Sequence, residues 1–421
     1  MATCARITLK NRLLQERSSI DRWFEKKFSS ISSNHIPFYS SFDLRDADYK
    51  IAPVDANLFP AGFNNICEVD RGNAPPLFVK TFLSTLGKMP EKVLIIPENH
   101  TRNHFYADNI YDLRQMIRGA GIHCEIGWWE GPDTKESAIA SDGYVHLTTP
   151  EDHEIICYPL SKEGNTISVD GFTPDVILFN NDYSSGYPEF FKNVSQPLIP
   201  NPKLGWHTRR KDRFFHHYNN IVKDFSSAFG INPWAFSVKT IKVTGVDFME
   251  QKGLDRLADA AQTMLTELNE DHKQFGCAAH KPFLFIKNNA GTYGIGVMKI
   301  NDPQEILSMN KRDRTKMHMG KGNQEIHEVI IQEGIMTRFE INGATAEPAI
   351  YMTGQELLGG FLRTNVNRGK DDNLNSKGMA FEHLCMSDLK TDADRDLELE
   401  LVYGTIAKMA SLAVSLELQE Y

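Results

Sequence analysis

The sequence predicts an α/β protein: an N-terminal domain built on a parallel sheet, then an α+β unit carrying a glycine hairpin. Three observations carry this. Residues 92–97 contain the apolar run VLIIP, residues 108–119 have a helical pattern, and a second strand-like run covers 122–127 after Gly121. Strand, helix and strand at that spacing make a parallel pair. Residues 175–179, DVILF, form another buried-type strand that stops at Asn180-Asn181-Asp182. Polar groups at such carboxyl ends are where parallel sheets hold ligands. Residues 283–300, FLFIKNNAGTYGIGVMKI, read as strand, glycine loop, strand.

The other elements follow in order. Leu13, Leu14, Ile20 and Phe24 lie at helical spacing within residues 9–30, and residues 31–65, rich in Ser, Asn and Pro, read as irregular. Residues 211–229 read as a helix halted by Gly230 and Pro233. Apolar positions 254, 257, 261, 265 and 268 form one face of a helix over 253–270. Beyond the hairpin, VIIQ at 329–332 is a strand, and 349–352 and 360–364 are strands joined through Thr353-Gly354. Residues 392–418 close the chain as a long helix, with Leu397, Leu401, Ile406, Met409 and Leu412 on its apolar face. The expected division is residues 1–205 for substrate and 206–421 for nucleotide, with a lid near 230–330 in the second part.

Composition narrows the function classes. A chain of 421 residues, 41% hydrophobic and 24% charged, reads as soluble, globular and of more than one domain. Its net charge of −9 disfavours nucleic acid as a partner, and Arg209-Arg210-Lys211 with Arg213 is its one dense basic cluster. The six cysteines, at 4, 67, 124, 157, 277 and 385, form no C-x-x-C and read as reduced thiols of a cytoplasmic protein. The N-terminal stretch lacks an apolar secretory core, and no run of 18 apolar residues predicts a membrane span. The sequons at Asn99 and Asn193 therefore carry no meaning.

The hairpin reads as a phosphate cradle. Glycines at 291, 294 and 296, with Thr292 and Tyr293 between them, let backbone N–H groups approach an anion, and Lys287 adds a charge at the strand end. It is not a P-loop: Gly87-Lys88 is followed by Met89, and Gly320-Lys321 by Gly322. Nor is it a dinucleotide fingerprint, because Lys299 stands at the third glycine position and four residues before the turn at Asn301-Asp302-Pro303 leave no helix. The H-R-D and D-F-G strings of protein kinases are missing. A strand lysine before a glycine hairpin is the pattern of the ATP-grasp superfamily.

Further constellations lie around it. VIIQEGI at 329–335 resembles the ATP-grasp strand that ends at a hinge beside adenine, which implies that Gln332 and Glu333 stand where backbone groups meet the base and an acid meets the ribose. Phe361, Arg363 and Asn365 share one face of an alternating strand, so Arg363 can neutralise charge on a transferred phosphoryl group. Glu340-x-Asn342, Glu347 and the stretch 371–375 offer oxygen to Mg²⁺. Upstream, VDANLFPAGFNN at 54–65 presents Asp55, Asn57, Asn64 and Asn65, donors and acceptors suited to an amino acid, and Arg102 follows a strand end. His216-His217 has no metal-binding pattern, the acidic run at 392–400 lacks the glycine of a calcium loop, and no G-x-S-x-G occurs.

Taken together, VDANLFPAGFNN, FIKNNAGTYGIGVM, VIIQEG and GGFLRTNVN…NLNSKG resemble the GshA family of bacterial glutamate–cysteine ligases, the ATP-grasp-like type, over residues 51–381. The order of motifs also resembles glutathione synthetase: a basic helix start, a strand lysine, a glycine loop, a hinge and a strand arginine. One departure stands out. There the metal-binding E-x-N follows the arginine strand, whereas Glu340-x-Asn342 precedes Arg363.

The resemblance implies ATP-dependent joining of the glutamate γ-carboxylate to the cysteine amine through an acyl phosphate, with Mg²⁺ or Mn²⁺. It implies Lys287 and Arg363 as catalytic groups. Lys211, Lys287, residues 291–294, Gly296, Gln332 and Glu333 would hold nucleotide; Asp55, Asn57, Asn64, Asn65, Arg102 and Asn365 would hold substrate; Glu340, Asn342 and Glu347 would hold metal. The expected partners are these small molecules, not nucleic acid or membrane, and homo-oligomerisation stays open. Another carboxylate–amine ligase of this fold, or a nucleotide-binding regulator, also fits the motifs.

Overall fold

The computed structural model describes residues 5–100, 103–131, 136–184, 186–291, 296–320, 325–386 and 399–421. Helix α1 (Ala5–Ser29) buries Leu9, Leu13, Ile20, Phe24 and Phe28; Leu13, Ile20 and Phe24 follow the predicted spacing, whereas Leu14 is exposed. The next segment departs from expectation. Strands β1 (Tyr39–Asp46) and β2 (Ile51–Asn57) form an antiparallel pair where an irregular stretch was predicted. In β1 polar and apolar residues alternate from Ser41 to Arg45, and every residue of β1 is buried. Helix α2 (Glu68–Leu86) has Pro75 and Pro76 inside it, which hid it from a propensity reading.

The parallel sheet is present. β3 (Lys92–Pro97), helix α3 (His104–Gly119) and β4 (His123–Trp128) make the βαβ unit, with Val93 beside Cys124. β5 (Val145–Thr148) and β6 (Glu154–Pro159) extend it, β7 (Ser161–Glu163) and β8 (Thr166–Ser168) form a separate hairpin, and β9 (Val176–Asn180) and β10 (Leu198–Ile199) complete it. Its order is β10-β9-β3-β4-β6-β5, so Asn180 stands beside Pro97 at the carboxyl ends.

Helix α4 (Lys211–Phe229) stops at Gly230, whose φ of 62° a side chain would strain. β11 (Thr240–Thr244), helix α5 (Gln251–Gln274), β12 (Leu284–Asn288) and β13 (Val297–Ile300) follow. β12 and β13 pair antiparallel, with Lys287 opposite Val297, so the glycine segment joins two strands. Short helices α6 (Gln304–Leu307) and α7 (Lys311–His318) lead to β14 (Glu328–Glu333). These strands form a sheet in the order β11-β14-β12-β13, with α5 packed against it around Leu257, Ala261 and Ile331.

The chain then returns to β1. β15 (Glu340–Ile341), β16 (Ala344–Thr353), β17 (Glu356–Asn365) and β18 (Met379–Leu384) build a sheet in the order β18-β17-β16-β1-β2, with β15 beside β16. This central sheet draws strands from both sides of the expected division at residue 205. Antiparallel pairing between β1 and β16, about three hundred residues apart, leaves no local signal in the sequence.

The last helix, α8 (Gly404–Leu418), follows a π-turn at Leu399–Tyr403; the part of the predicted helix at 392–398 lies outside the described residues. Residues Leu401–Leu418 are long and apolar enough to cross a membrane, but 83% of that window is buried inside the fold. Here α8 packs with α1, α4 and one face of the central sheet, through Phe42, Leu44, Phe214 and Met409.

Two cysteines also depart from expectation. Cys67, at the N-cap of α2, is disulfide-bonded to Cys385, just after β18, whereas Cys124, Cys157 and Cys277 are free and buried. The partners are 318 residues apart, a pairing that spacing alone does not reveal.

Candidate active site

One face of the central sheet changes character along its length. Tyr39, Ala349, Tyr351 and Phe361 pack in an apolar cluster with α2. Side chains alternate across a strand, so Asp43, Glu347 and Arg363 continue the same face. Asp43 sits directly opposite Asp55 on β2, and Glu347 directly opposite Arg363 on β17. With Arg45 these groups floor a cleft, and β12 and β13 roof it with Phe285, Lys287 and Val297, with Gly291 just after β12.

The floor is an ion network. Arg363 Nη1 donates to Asp43 Oδ2 at 2.9 Å and Glu347 Oε1 at 2.8 Å, and Nη2 to Asp43 Oδ1 at 3.2 Å. Arg45 Nε meets Glu347 Oε2 at 2.5 Å. Burial pulls the Arg363 pKa down, but Asp43 and Glu347 outweigh it and hold the guanidinium firmly charged. Burial pushes the Asp43 carboxyl up, and the like charge of Glu347 adds to this against Arg363.

The roof is cationic. Lys287 Nζ donates to Gln332 Oε1 at 2.6 Å and to the Val54 carbonyl at 2.9 Å, tying the hairpin sheet to β2. Burial pulls its pKa down to about 8, with Lys211 and Arg45 acting in the same direction and Asp55 opposing them. Lys211, the first residue of α4, ion-pairs with Asp55 and lies 4.4 Å from the Trp206 ring. Burial raises the Asp55 carboxyl, but Lys211 and Lys287 override it and hold it below its usual range. Four bases (Arg45, Lys211, Lys287, Arg363) face three acids (Asp43, Asp55, Glu347) in the lining, so the cleft keeps a positive excess for an anion.

Backbone shape fits the same use. A Cβ on Gly291 would lie 2.9 Å from Asn288 Cβ; Gly296 has a φ of +67°, and its Cβ would lie 2.9 Å from Ile326 Cδ1. Thr292, Tyr293 and Gly294 lie outside the described residues. One wall of the cleft is the loop holding Asn373 and Asn375. Lys299 Nζ reaches Asp371 at 2.6 Å and Asp372 at 3.3 Å, and Arg45 Nη2 donates to the Asp372 carbonyl at 2.7 Å, so this loop is fixed from both sheets.

Several expected site residues lie elsewhere. Glu333 is 3% exposed and ion-pairs with the buried Lys50, Nζ to Oε1 at 2.7 Å, so its carboxylate is bound within the protein and is not part of the cleft lining. Gln332 is buried and accepts the hydrogen bond from Lys287 Nζ. Glu340 is the exposed first residue of β15, opposite Thr345, and Asn342 turns the chain between β15 and β16 at a φ of 51°; neither lines the cleft. Asn365 is 1% exposed and donates towards Leu374, Ser376 and Lys377 carbonyls, so its amide holds the loop and is not part of the cleft lining.

The upstream amides are half-buried and stand apart from the cleft lining. Asn64 Nδ2 donates to Asp108 at 3.2 Å, Asn65 closes a 3-10 turn, and Asn57 pairs with Ser41 on β1; none lines the cleft. Arg102 lies outside the described residues. The sequence reading missed Asp43 and Arg45. Their signal was the alternation Phe42-Asp43-Leu44-Arg45, a period of two with charge on one face.

Comparison with known proteins adds family evidence. The family model GshA, described as glutamate-cysteine ligase, matches residues 10–418. The crystal structure of a candidate gamma-glutamylcysteine synthetase from Methylobacillus flagellatus is similar at 32% identity and a TM-score of 0.88, covering 100% of this chain and 98% of that one. D-alanyl-alanine synthetase A from Vibrio cholerae is 12% identical with a TM-score of 0.35, over 79% of this chain and 82% of that one, too distant to bear on the site. No curated protein matches.

Proposed function

This chain belongs to the GshA glutamate–cysteine ligase family, and on that premise we infer that it joins glutamate to cysteine at the expense of ATP, in the cleft between the central sheet and the glycine hairpin. The observation that carries this is the convergence of Lys211, Lys287 and Arg363, from three separate elements, on one cleft with Gly291 in its roof.

The chemistry requires activation. A carboxylate cannot lose oxide to an amine. Attack of the glutamate γ-carboxylate oxygen on the γ-phosphorus of ATP releases ADP and leaves an acyl phosphate. The cysteine nitrogen then bonds to the acyl carbon, phosphate departs with the bonding pair, and the amine proton passes to phosphate or solvent. The protein contributes position and charge. Lys211 and Lys287 hold phosphate oxygens, and Arg363 meets the negative charge that grows on the transferred group. The hairpin, as an ATP-grasp-like lid, keeps water from the acyl phosphate.

A divalent ion fits the floor. Among the described residues no group of three or more His, Cys, Asp or Glu forms a self-contained metal site. Asp43 and Glu347, with the amide oxygens of Asn373 and Asn375 nearby, are the hard oxygen donors that Mg²⁺ takes in ones and twos beside phosphate. Bound there, the ion would screen phosphate charge.

Lys287 sets a pH dependence. Its ammonium is the working form and is lost as pH rises through about 8. The rate constant kcat/KM, which reports the free protein, is expected to fall on the alkaline side with that midpoint; bound ATP favours the charged form, so kcat falls at higher pH. Identical alkaline midpoints for both would remove Lys287 from the phosphate site. The function itself is tested by ADP release: ADP formation with glutamate plus cysteine, far above either alone or glutamate with other amines, is expected. Equal ADP release with unrelated amines would reject cysteine as the acceptor.

A further inference from the structure

A second cavity, of about 240 Å³, adjoins the cleft and shares Asn288 with it. Its lining includes Ser184, beyond the carboxyl end of β9, and Arg210, Asn289 and Glu328. The three consecutive bases before and at the start of α4 therefore divide their work. Arg209 is 2% exposed and anchored to Glu417 of α8 by two hydrogen bonds at 3.0 and 2.8 Å, Lys211 faces the phosphate cleft, and Arg210 faces the second cavity.

Arg210 is held for binding. Its Nη1 donates to the carbonyls of His207, Thr208 and Arg209 at 3.4, 3.0 and 2.8 Å, which fixes the guanidinium, while Nη2 has no partner among the described residues. Glu328 Oε1 lies 3.8 Å from Arg210 Nε and accepts a 2.5 Å hydrogen bond from Asn289 Nδ2. Asn289 is itself 0% exposed and held by Asp212 Oδ1 at 2.6 Å. Glu325, the other acid of the lining, is paired with His327 at 3.1 Å. The cavity thus offers a fixed cation beside a fixed carboxylate, at a spacing that suits both charges of an α-amino acid head.

Resting on the functional reading above, the geometry points to this cavity as the subsite for the α-amino acid head of glutamate: Arg210 takes the α-carboxylate and Glu328 the α-ammonium. The side chain then passes the shared Asn288 edge and puts its γ-carboxylate between Lys211 and Lys287, where phosphorylation occurs. Cysteine, whose amine must be free to attack, is poorly served by an acid that keeps the amine protonated.

Kinetics on the full chain test this. Arg210→Gln and Glu328→Gln, each checked for a native melting transition, are expected to raise the KM for glutamate at least about tenfold while the KM values for ATP and cysteine stay within about twofold. Glutarate, which keeps both carboxylates and lacks the ammonium, supplies an independent readout by competition: Glu328→Gln should lose most of the discrimination between glutamate and glutarate. An active unsubstituted protein whose two variants keep the glutamate KM, or raise that of cysteine instead, overturns the subsite alone. An unsubstituted protein without glutamate-dependent ADP release overturns the functional reading and the subsite together.

Discussion

Lys287→Ala is expected to lower kcat/KM by more than about tenfold, equivalent to about 1.4 kcal/mol of transition-state stabilisation. Its ammonium is gripped by Gln332 and the Val54 carbonyl, so it is already in place before nucleotide arrives. A preorganised charge costs little reorganisation when negative charge moves onto ADP. The variant also loses the link between the hairpin sheet and β2, so the KM for ATP should rise as well as kcat fall. Steady-state kinetics with ATP as the varied substrate separates the two effects. Kinetics indistinguishable from the unsubstituted protein would sink the role given to Lys287.

The second large effect belongs to Arg363. Replacing it by Met keeps most of the volume and removes the charge that separates Asp43 from Glu347. Both carboxylates are buried: their side chains are 11% and 4% exposed. Breaking a buried pair from one side leaves an uncompensated charge, typically worth about 3–5 kcal/mol of stability. Arg45 stays on Glu347 and spares part of this. Arg363→Met should therefore shift the urea midpoint down, and lose at least about a hundredfold in kcat, the scale for removing one preorganised donor. Adding Asp43→Asn to it should recover stability but not activity. Recovery of both would make Arg363 a structural residue only.

The hairpin lysine, the βαβ unit and α4 were legible in the sequence because each is a local pattern: a run of apolar residues with a glycine, or a helical period with a stop. The floor of the cleft was not. β1 spells YSSFDLRD, which reads as polar loop unless its partner on the far side of the chain is known. Its polar residues are buried because Arg363 and Glu347, from β16 and β17, complete their charges.

The same reasoning explains why Glu333, Glu340, Asn342 and Asn365 lie outside the cleft lining. Glu333 stands at a strand end facing the cleft region in sequence, but Lys50, from the turn between β1 and β2, captures it in the interior. Glu340-x-Asn342 has strand-like spacing, but its second member turns the chain at a positive φ. Asn365 shares a strand face with Arg363, yet the following loop folds back over it and takes its amide. In each case a residue type suited to ligands was used to hold the protein's own backbone or charge. Only tertiary pairing distinguishes the two uses.

The central claim is that the cleft activates a carboxylate by phosphorylation. Glutamate labelled with ¹⁸O in its γ-carboxylate tests it most directly, by mass spectrometry of the phosphate released during ligation to cysteine. An acyl phosphate carries one carboxylate oxygen to phosphorus, so each turnover is predicted to deliver one ¹⁸O into inorganic phosphate. Product formation with unlabelled phosphate would contradict this account.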